Sequence, residues 1–181
     1  MFTMKIDHEI ELQLLQPHHA DEFFHLIDSN RSYLKEWLPW VNEVISPVQT
    51  HRLISHWIMQ FSEQSGFSLG IRYRGRLVGN ISSQFIDWNN RQTSIGYFIA
   101  KDAQGHGIMT KAVRAVLNYS YFQLGLNRIE IRCGEKNAKS RAIPERLGFT
   151  YEGFVRDGEY LNGRFHNLLM YSLLAREWTR Q

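Results

Sequence analysis

The chain has 181 residues, 43% hydrophobic and 13% aromatic, which suits a domain with a substantial core and leaves little room for disorder. Its single cysteine, Cys133, excludes an intramolecular disulfide framework and fits a reducing, cytoplasmic setting. A formal charge of +3 is mild, no run reaches the roughly 20 apolar residues of a membrane span, and the charged start MFTMKIDHEIE lacks a secretory pattern.

Residues 8–15 (HEIELQLL) alternate apolar and polar side chains, the period of a half-buried strand. After Pro17, residues 20–28 carry Phe23, Phe24, Leu26 and Ile27 at helical spacing. Residues 31–40 predict a short aromatic helix ended by Pro39, and Pro47 suits the first turn of a helix over 48–63. Strands are predicted over 67–73, 77–85 and 93–99, joined closely enough to form an antiparallel meander. A long helix follows over 108–124, with Ile108, Ala112, Val113, Val116, Leu117 and Tyr121 on one side. Residues 128–133 predict a strand and 138–147 a helix. Two further strands, 150–157 and 167–174, are linked by a stretch 158–164 holding the turn signal Asn162-Gly163. The order β-α-α-β-β-β-α-β-α-β-β predicts a single mixed α/β domain over residues 1–181, with about seven strands and four helices.

Two runs carry the chemistry: DAQGHGIMTKA at 102–112 and NAKSRAIPERLGF at 137–149. In the first, a strand end turns through Gly105 and Gly107 into the long helix. The first amides of a helix lack intrahelical partners, and the helix dipole adds positive potential there. Such a turn suits a phosphate or pyrophosphate, which glycines let approach the backbone closely.

With QGHGIMT opening the central helix and an N…S…LGF helix after the next strand, the chain resembles the GCN5-related N-acetyltransferase (GNAT) superfamily. That family's phosphate turn reads (Gln/Arg)-x-x-Gly-x-(Gly/Ala). Gln104, Gly107 and Met109 stand at those positions; Met109 departs from the last, and Thr110 keeps a following small polar residue. Three blocks in order, SNRSYLKEWLPW, IGYFIAKDAQGHGIMTKAV and EGFVRDGEYLNGRFHNLLMYSLL, are similar to the Rim-type ribosomal-protein N-acetyltransferases. These move acetyl from acetyl-CoA to the N-terminal amine of a ribosomal protein.

The resemblance implies a GNAT-like mixed sheet and a site for acetyl-CoA. Its pyrophosphate would lie on the amides of Gln104, Gly105, His106, Gly107, Ile108, Met109 and Thr110, with the Thr110 hydroxyl as an extra donor. Pantetheine would lie where the strand ending at Ile99 splays from its parallel neighbour, bonding free backbone groups around Phe98, Ile99 and Ala100. Asn137 matches the amide that holds the pantetheine arm, and is equally a good helix N-cap. Many members of the superfamily use a tyrosine as the acid that protonates the departing thiolate; Pro144 occupies that position here, and Ser140 matches the Rim-type serine proposed for the role. Pro144 also removes a helix bond that the Ser140 carbonyl would accept. Glu159 matches the Rim-type glutamate that takes a proton from the incoming ammonium, whose pKa is near 8 for an α-amine. The plainer readings are a helix serine and a surface carboxylate. Trp37 or Trp40 could line the acceptor cleft. Cys133 reads as a small buried hydrophobe, with a mixed disulfide to CoA as a side possibility under oxidising conditions.

No metal is expected, because the eight histidines lack ligand spacing. No basic run interleaved with aromatics points to nucleic acid, and no membrane partner is implied. The resemblance suggests a homodimer. Two rival functions stay open: an N-acetyltransferase for a small amine, and a non-catalytic CoA-binding or ribosome-associated module.

Overall fold

The period-two and helical patterns assemble into one eight-stranded sheet with four α-helices in the computed structural model, which describes residues 3–179. In chain order these are β1 (Thr3–Lys5), β2 (Ile10–Leu14), α1 (Ala20–Leu34), α2 (Pro47–Ser62), β3 (Ser68–Tyr73), β4 (Arg76–Ser83), β5 (Gln92–Ile99), α3 (Ile108–Phe122), β6 (Arg128–Gly134), α4 (Ala138–Arg146), β7 (Thr150–Leu161) and β8 (Arg164–Leu174). The order across the sheet is β1-β2-β3-β4-β5-β6-β8-β7. Only β5 and β6 pair in parallel, as strands joined by a helical crossover must. This is the mixed α/β architecture that the element order predicts, with one strand more.

The core closes around the middle of the sheet. Phe23, Ile27, Ile54, Val78, Ile81, Val113, Val116, Leu117, Ile129 and Ile131 are each at most 1% exposed. Burying a side chain of this size is worth about 1.5–3 kcal/mol, so the central strands are the most firmly held part of the fold. Phe98 of β5 packs against Phe23 of α1 and against Trp40, while its neighbour Tyr97 reaches α4. Successive strand residues point to opposite faces, so α1 and α4 lie on opposite sides of β5.

Three predicted elements differ. α1 continues through Asp28, Ser29 and Asn30 to Leu34; Asp28 and Ser29 face solvent, while Asn30 donates to the Leu26 carbonyl and accepts from the Lys101 amide, both at 2.9 Å. The chain then turns, and Pro39 opens a 3-10 turn, Pro39–Asn42, where it had been read as a terminator. Leu38 before it is extended (φ −125°, ψ 94°), the conformation that a following proline favours. At the other end, residues 158–164 are not a long link. β7 and β8 run on to a tight hairpin at Asn162 and Gly163, whose φ angles of 54° and 81° are those of a type I′ turn. β1, three residues paired with Glu11, Leu12 and Gln13, was not expected.

Candidate active site

The turn between β5 and α3 is built by its two glycines. Gly105 and Gly107 have φ of +83° and +71°, a region costly for a side-chain-bearing residue, and a Cβ at either would meet nothing within 4 Å. The first bond of α3 is from Lys111 N–H to the Gly107 carbonyl, 3.1 Å, so the amides before it are left for another partner. Ile108 and Met109 bury their side chains in the core, while Gly105, His106 and Gly107 stay exposed. The turn is therefore anchored from below and open above.

Two cations that the sequence reading passed over stand beside it. Lys139 Nζ donates to Gln104 Oε1 at 2.7 Å, and Arg146 Nη1 donates to Thr110 Oγ1 at 2.9 Å. Both come from α4, seven residues apart and so on one face of it. That spacing was visible in the sequence, but only the packing of α4 beside α3 gives it meaning.

β5 and β6 share just three residue pairs among the described residues: Gln92 with Arg128, Thr93 with Ile129, and Ser94 with Glu130. Beyond Ser94 the strands part, while β5 stays paired to β4 as far as Ile99. The splay implied by the family resemblance is thus present. Its open groups differ from the expected ones. Gln84 N–H bonds the Ser94 carbonyl and Ala100 N–H bonds the Val78 carbonyl, both at 2.7 Å. The alternation of an antiparallel ladder then turns the backbone groups of Phe98 and Ala100 toward β4, and those of Ile95, Tyr97 and Ile99 into the gap. The Ile99 carbonyl accepts from the Tyr33 hydroxyl.

Across the gap, Asn137 caps α4 by accepting from Ser140 N–H at 3.1 Å, which is the N-cap reading of that residue. The other end of its amide has no protein partner among the described residues. The Ser140 carbonyl accepts from the Tyr97 hydroxyl at 3.0 Å. No described side chain or backbone group bonds the Ser140 hydroxyl. Cys133 is buried at the end of β6, and burial pushes its thiol up to about 11, leaving almost no thiolate at neutral pH.

Glu159 sits on β7 just after a register shift. Val155 faces Leu168 but Glu159 faces His166, so two extra residues are looped out on the β7 side. Such a bulge re-aims the side chains that follow it. Partial burial raises the Glu159 carboxyl above its ordinary value, offset in part by His166. No hydrogen bond joins Glu159 to Ser140 among the described residues; they stand on different elements, β7 and α4. The hairpin tip beyond Glu159 is tied back to the end of α1, where Asn162 Nδ2 reaches the Lys35 and Glu36 carbonyls at 3.3 Å. Trp37, in that same stretch, lies over Gly134 at the end of β6. Among the described residues no group of His, Cys, Asp or Glu is placed to hold a metal, and no helix is long and apolar enough to cross a membrane.

The acetyltransferase (GNAT) domain family model matches residues 9–150. The Bacillus subtilis (strain 168) protein YdaF, named provisionally as a ribosomal N-acetyltransferase, is 43% identical over 98% of both chains. The ribosomal-protein-serine acetyltransferase of Escherichia coli (strain K12) is 29% identical over 94% of this chain and 95% of its own. A solved structure of RimL, a ribosomal L7/L12 α-N-protein acetyltransferase in complex with coenzyme A, superposes with a TM-score of 0.93 at 26% identity, covering 97% of this chain and 99% of that one. That complex carries a disulfide between coenzyme A and a cysteine of the enzyme. Amide turn, splayed strands and these relatives agree: the chain belongs to the GNAT family of acetyltransferases.

Proposed function

We propose that this chain transfers acetyl from acetyl-CoA to the N-terminal α-amine of a ribosomal protein. The observation that carries the reading is the gap between β5 and β6, open on its backbone and ending at the bare amide turn of Gly105–Gly107. The Gln104 amide, expected to join that turn, donates instead to the Lys101 carbonyl at 3.4 Å, so the pyrophosphate would take the amides from Gly105 to Thr110, with Lys139 and Arg146 beside it. The pantetheine amides would meet the free backbone groups of Ile95 and Tyr97, the Ile99 N–H, and the unpaired end of Asn137.

In the reaction the amine nitrogen attacks the thioester carbonyl, a C–N bond forms, and the C–S bond breaks. Glu159 accepts the proton that the ammonium must lose, directly or through a water. Partial burial raises its pKa, which makes its carboxylate a better base than that of an exposed glutamate. The Ser140 hydroxyl, without a protein partner among the described residues, protonates the leaving thiolate and takes in exchange the second proton that the attacking nitrogen sheds as the amide forms. The ribosomal acceptor is supported by the names of the Bacillus subtilis and Escherichia coli relatives.

Isotopically labelled acetyl-CoA, incubated with the protein and a bacterial extract, tests this by mass spectrometry of proteins and small amines. Label on the N-terminus of one ribosomal protein is the expected result. Label confined to small amines would replace the acceptor, and no label with CoA still bound would favour a non-catalytic module.

A further inference from the structure

Pro144 stands four residues after Ser140 inside α4. It has no N–H to give the Ser140 carbonyl, and its ring crowds that oxygen out of the helix line. A carbonyl so displaced needs a donor from elsewhere. Tyr97 supplies it, crossing from β5 to place its hydroxyl 3.0 Å from the Ser140 oxygen. At the other end of the same residue, Asn137 Oδ1 accepts from the Ser140 amide at 3.1 Å. Both backbone groups of Ser140 are therefore held by side chains, one from its own helix cap and one from the opposite wall of the gap.

We infer that Tyr97 is a positioning residue, whose hydroxyl replaces the amide hydrogen missing at Pro144 and so fixes where the Ser140 hydroxyl stands relative to the gap. The assignment rests on the reading of Ser140 as the acid. It also makes the bond a link between two walls: β5, whose free groups face the thioester arm, and α4, which carries the hydroxyl. Burial raises the Tyr97 hydroxyl pKa far above neutrality, so it remains a donor throughout the working range of the enzyme. Tyr97 itself needs no contact with acetyl-CoA for this role.

The test is a cycle of four proteins: wild type, Tyr97→Phe, Pro144→Ala, and the double variant. Alanine at 144 restores an amide donor to the Ser140 carbonyl. Tyr97→Phe should lower kcat roughly 10- to 100-fold, the scale of a misplaced group, with KM for acetyl-CoA and the CoA affinity within about twofold. The double variant should recover most of that loss, and it keeps the carbonyl satisfied if the single variant folds poorly. A general loosening of the fold would move KM and would not be rescued by a change at Pro144. Unchanged kcat in Tyr97→Phe, or no recovery in the double variant, overturns the assignment. Ser140→Ala run alongside separates the two readings. Full activity in Ser140→Ala removes both the acid and its positioning residue, whereas a large loss there with Tyr97→Phe unaffected removes the positioning residue alone.

Discussion

The two flanks of the β5–β6 gap are held very differently. On the β5 side, β4 is buried along almost its whole length, and α1 and α2 pack together over that half of the sheet. On the other side, β7 is exposed along most of its length and presents Tyr151, Phe154, Val155 and Tyr160 to solvent. The first flank ends in the amide turn, and the second supplies Ser140 and Glu159. A buried flank changes only at the expense of the fold, so it suits the part of the reaction that stays constant, the CoA moiety. An exposed hairpin can change its side chains freely, and it suits the part that varies between relatives, the acceptor.

Variants on the two flanks should therefore separate binding from turnover. The largest effect is expected for Ser140→Ala, which should slow transfer by roughly 10²–10⁴-fold while CoA affinity, read by calorimetry, stays put. A drop in affinity of the same size would merge the two flanks into one. Next comes Gly107→Val. A β-branched residue at φ +71° is strained, and its side chain would project into the open space above the turn. CoA affinity should fall by roughly 10-fold or more, with kcat at saturation preserved; normal CoA binding would put the anion site elsewhere.

Glu159→Gln should have an intermediate effect, visible mainly in the pH profile. The carboxyl is raised by burial, so its ionised form is the disfavoured one in the fold. Activity that needs that ionised form should fail as pH falls through a value above the ordinary glutamate range. Stability runs the other way, and the glutamine variant should melt slightly higher at pH 8 than wild type. A lower melting point together with unchanged kcat would reduce Glu159 to a structural carboxylate. The smallest effect is expected at the root of the hairpin. Glu152 takes both guanidinium nitrogens of Arg128 at 2.6 Å and a hydroxyl hydrogen from Ser172 at 2.7 Å, which holds its carboxyl down to about 2. This contribution is present above the ordinary glutamate pKa and is lost as pH falls toward 2. Because the pair is partly exposed, Glu152→Gln should cost under about 1 kcal/mol at pH 7, measured by urea unfolding.

What the sequence made legible was local. The glycine turn, the Asn137 cap, the carbonyl freed by Pro144 and the Asn162-Gly163 reversal all follow from rules spanning four residues or fewer. The sequence places the turn at Asn162-Gly163 but not the strands that reach it, because the register shift between Val155 and Glu159 breaks the pattern of β7. The sequence pattern carries α1 only to Asp28, because the buried residues of the helix skip from Ile27 to Leu34. Tyr97, Lys139 and Arg146 escaped notice for another reason. Their partners, Ser140, Gln104 and Thr110, lie 43, 35 and 36 residues away, and no local pattern encodes such a pairing. The point at which β5 and β6 part is likewise a property of two registers and not of either strand.

The tie at the hairpin tip has a topological meaning. Starting at the three shared pairs of β5 and β6, one can pass up β5 to the Ile99 carbonyl held by Tyr33, and along α1 to Lys35 and Glu36. From there Asn162 leads into the hairpin, and β8 leads back to β6. These contacts close into a ring that joins β5, α1, the hairpin and β6. In a ring of this kind each tie restrains the next, so loosening Asn162 from the end of α1 would free the hairpin tip to move relative to β5.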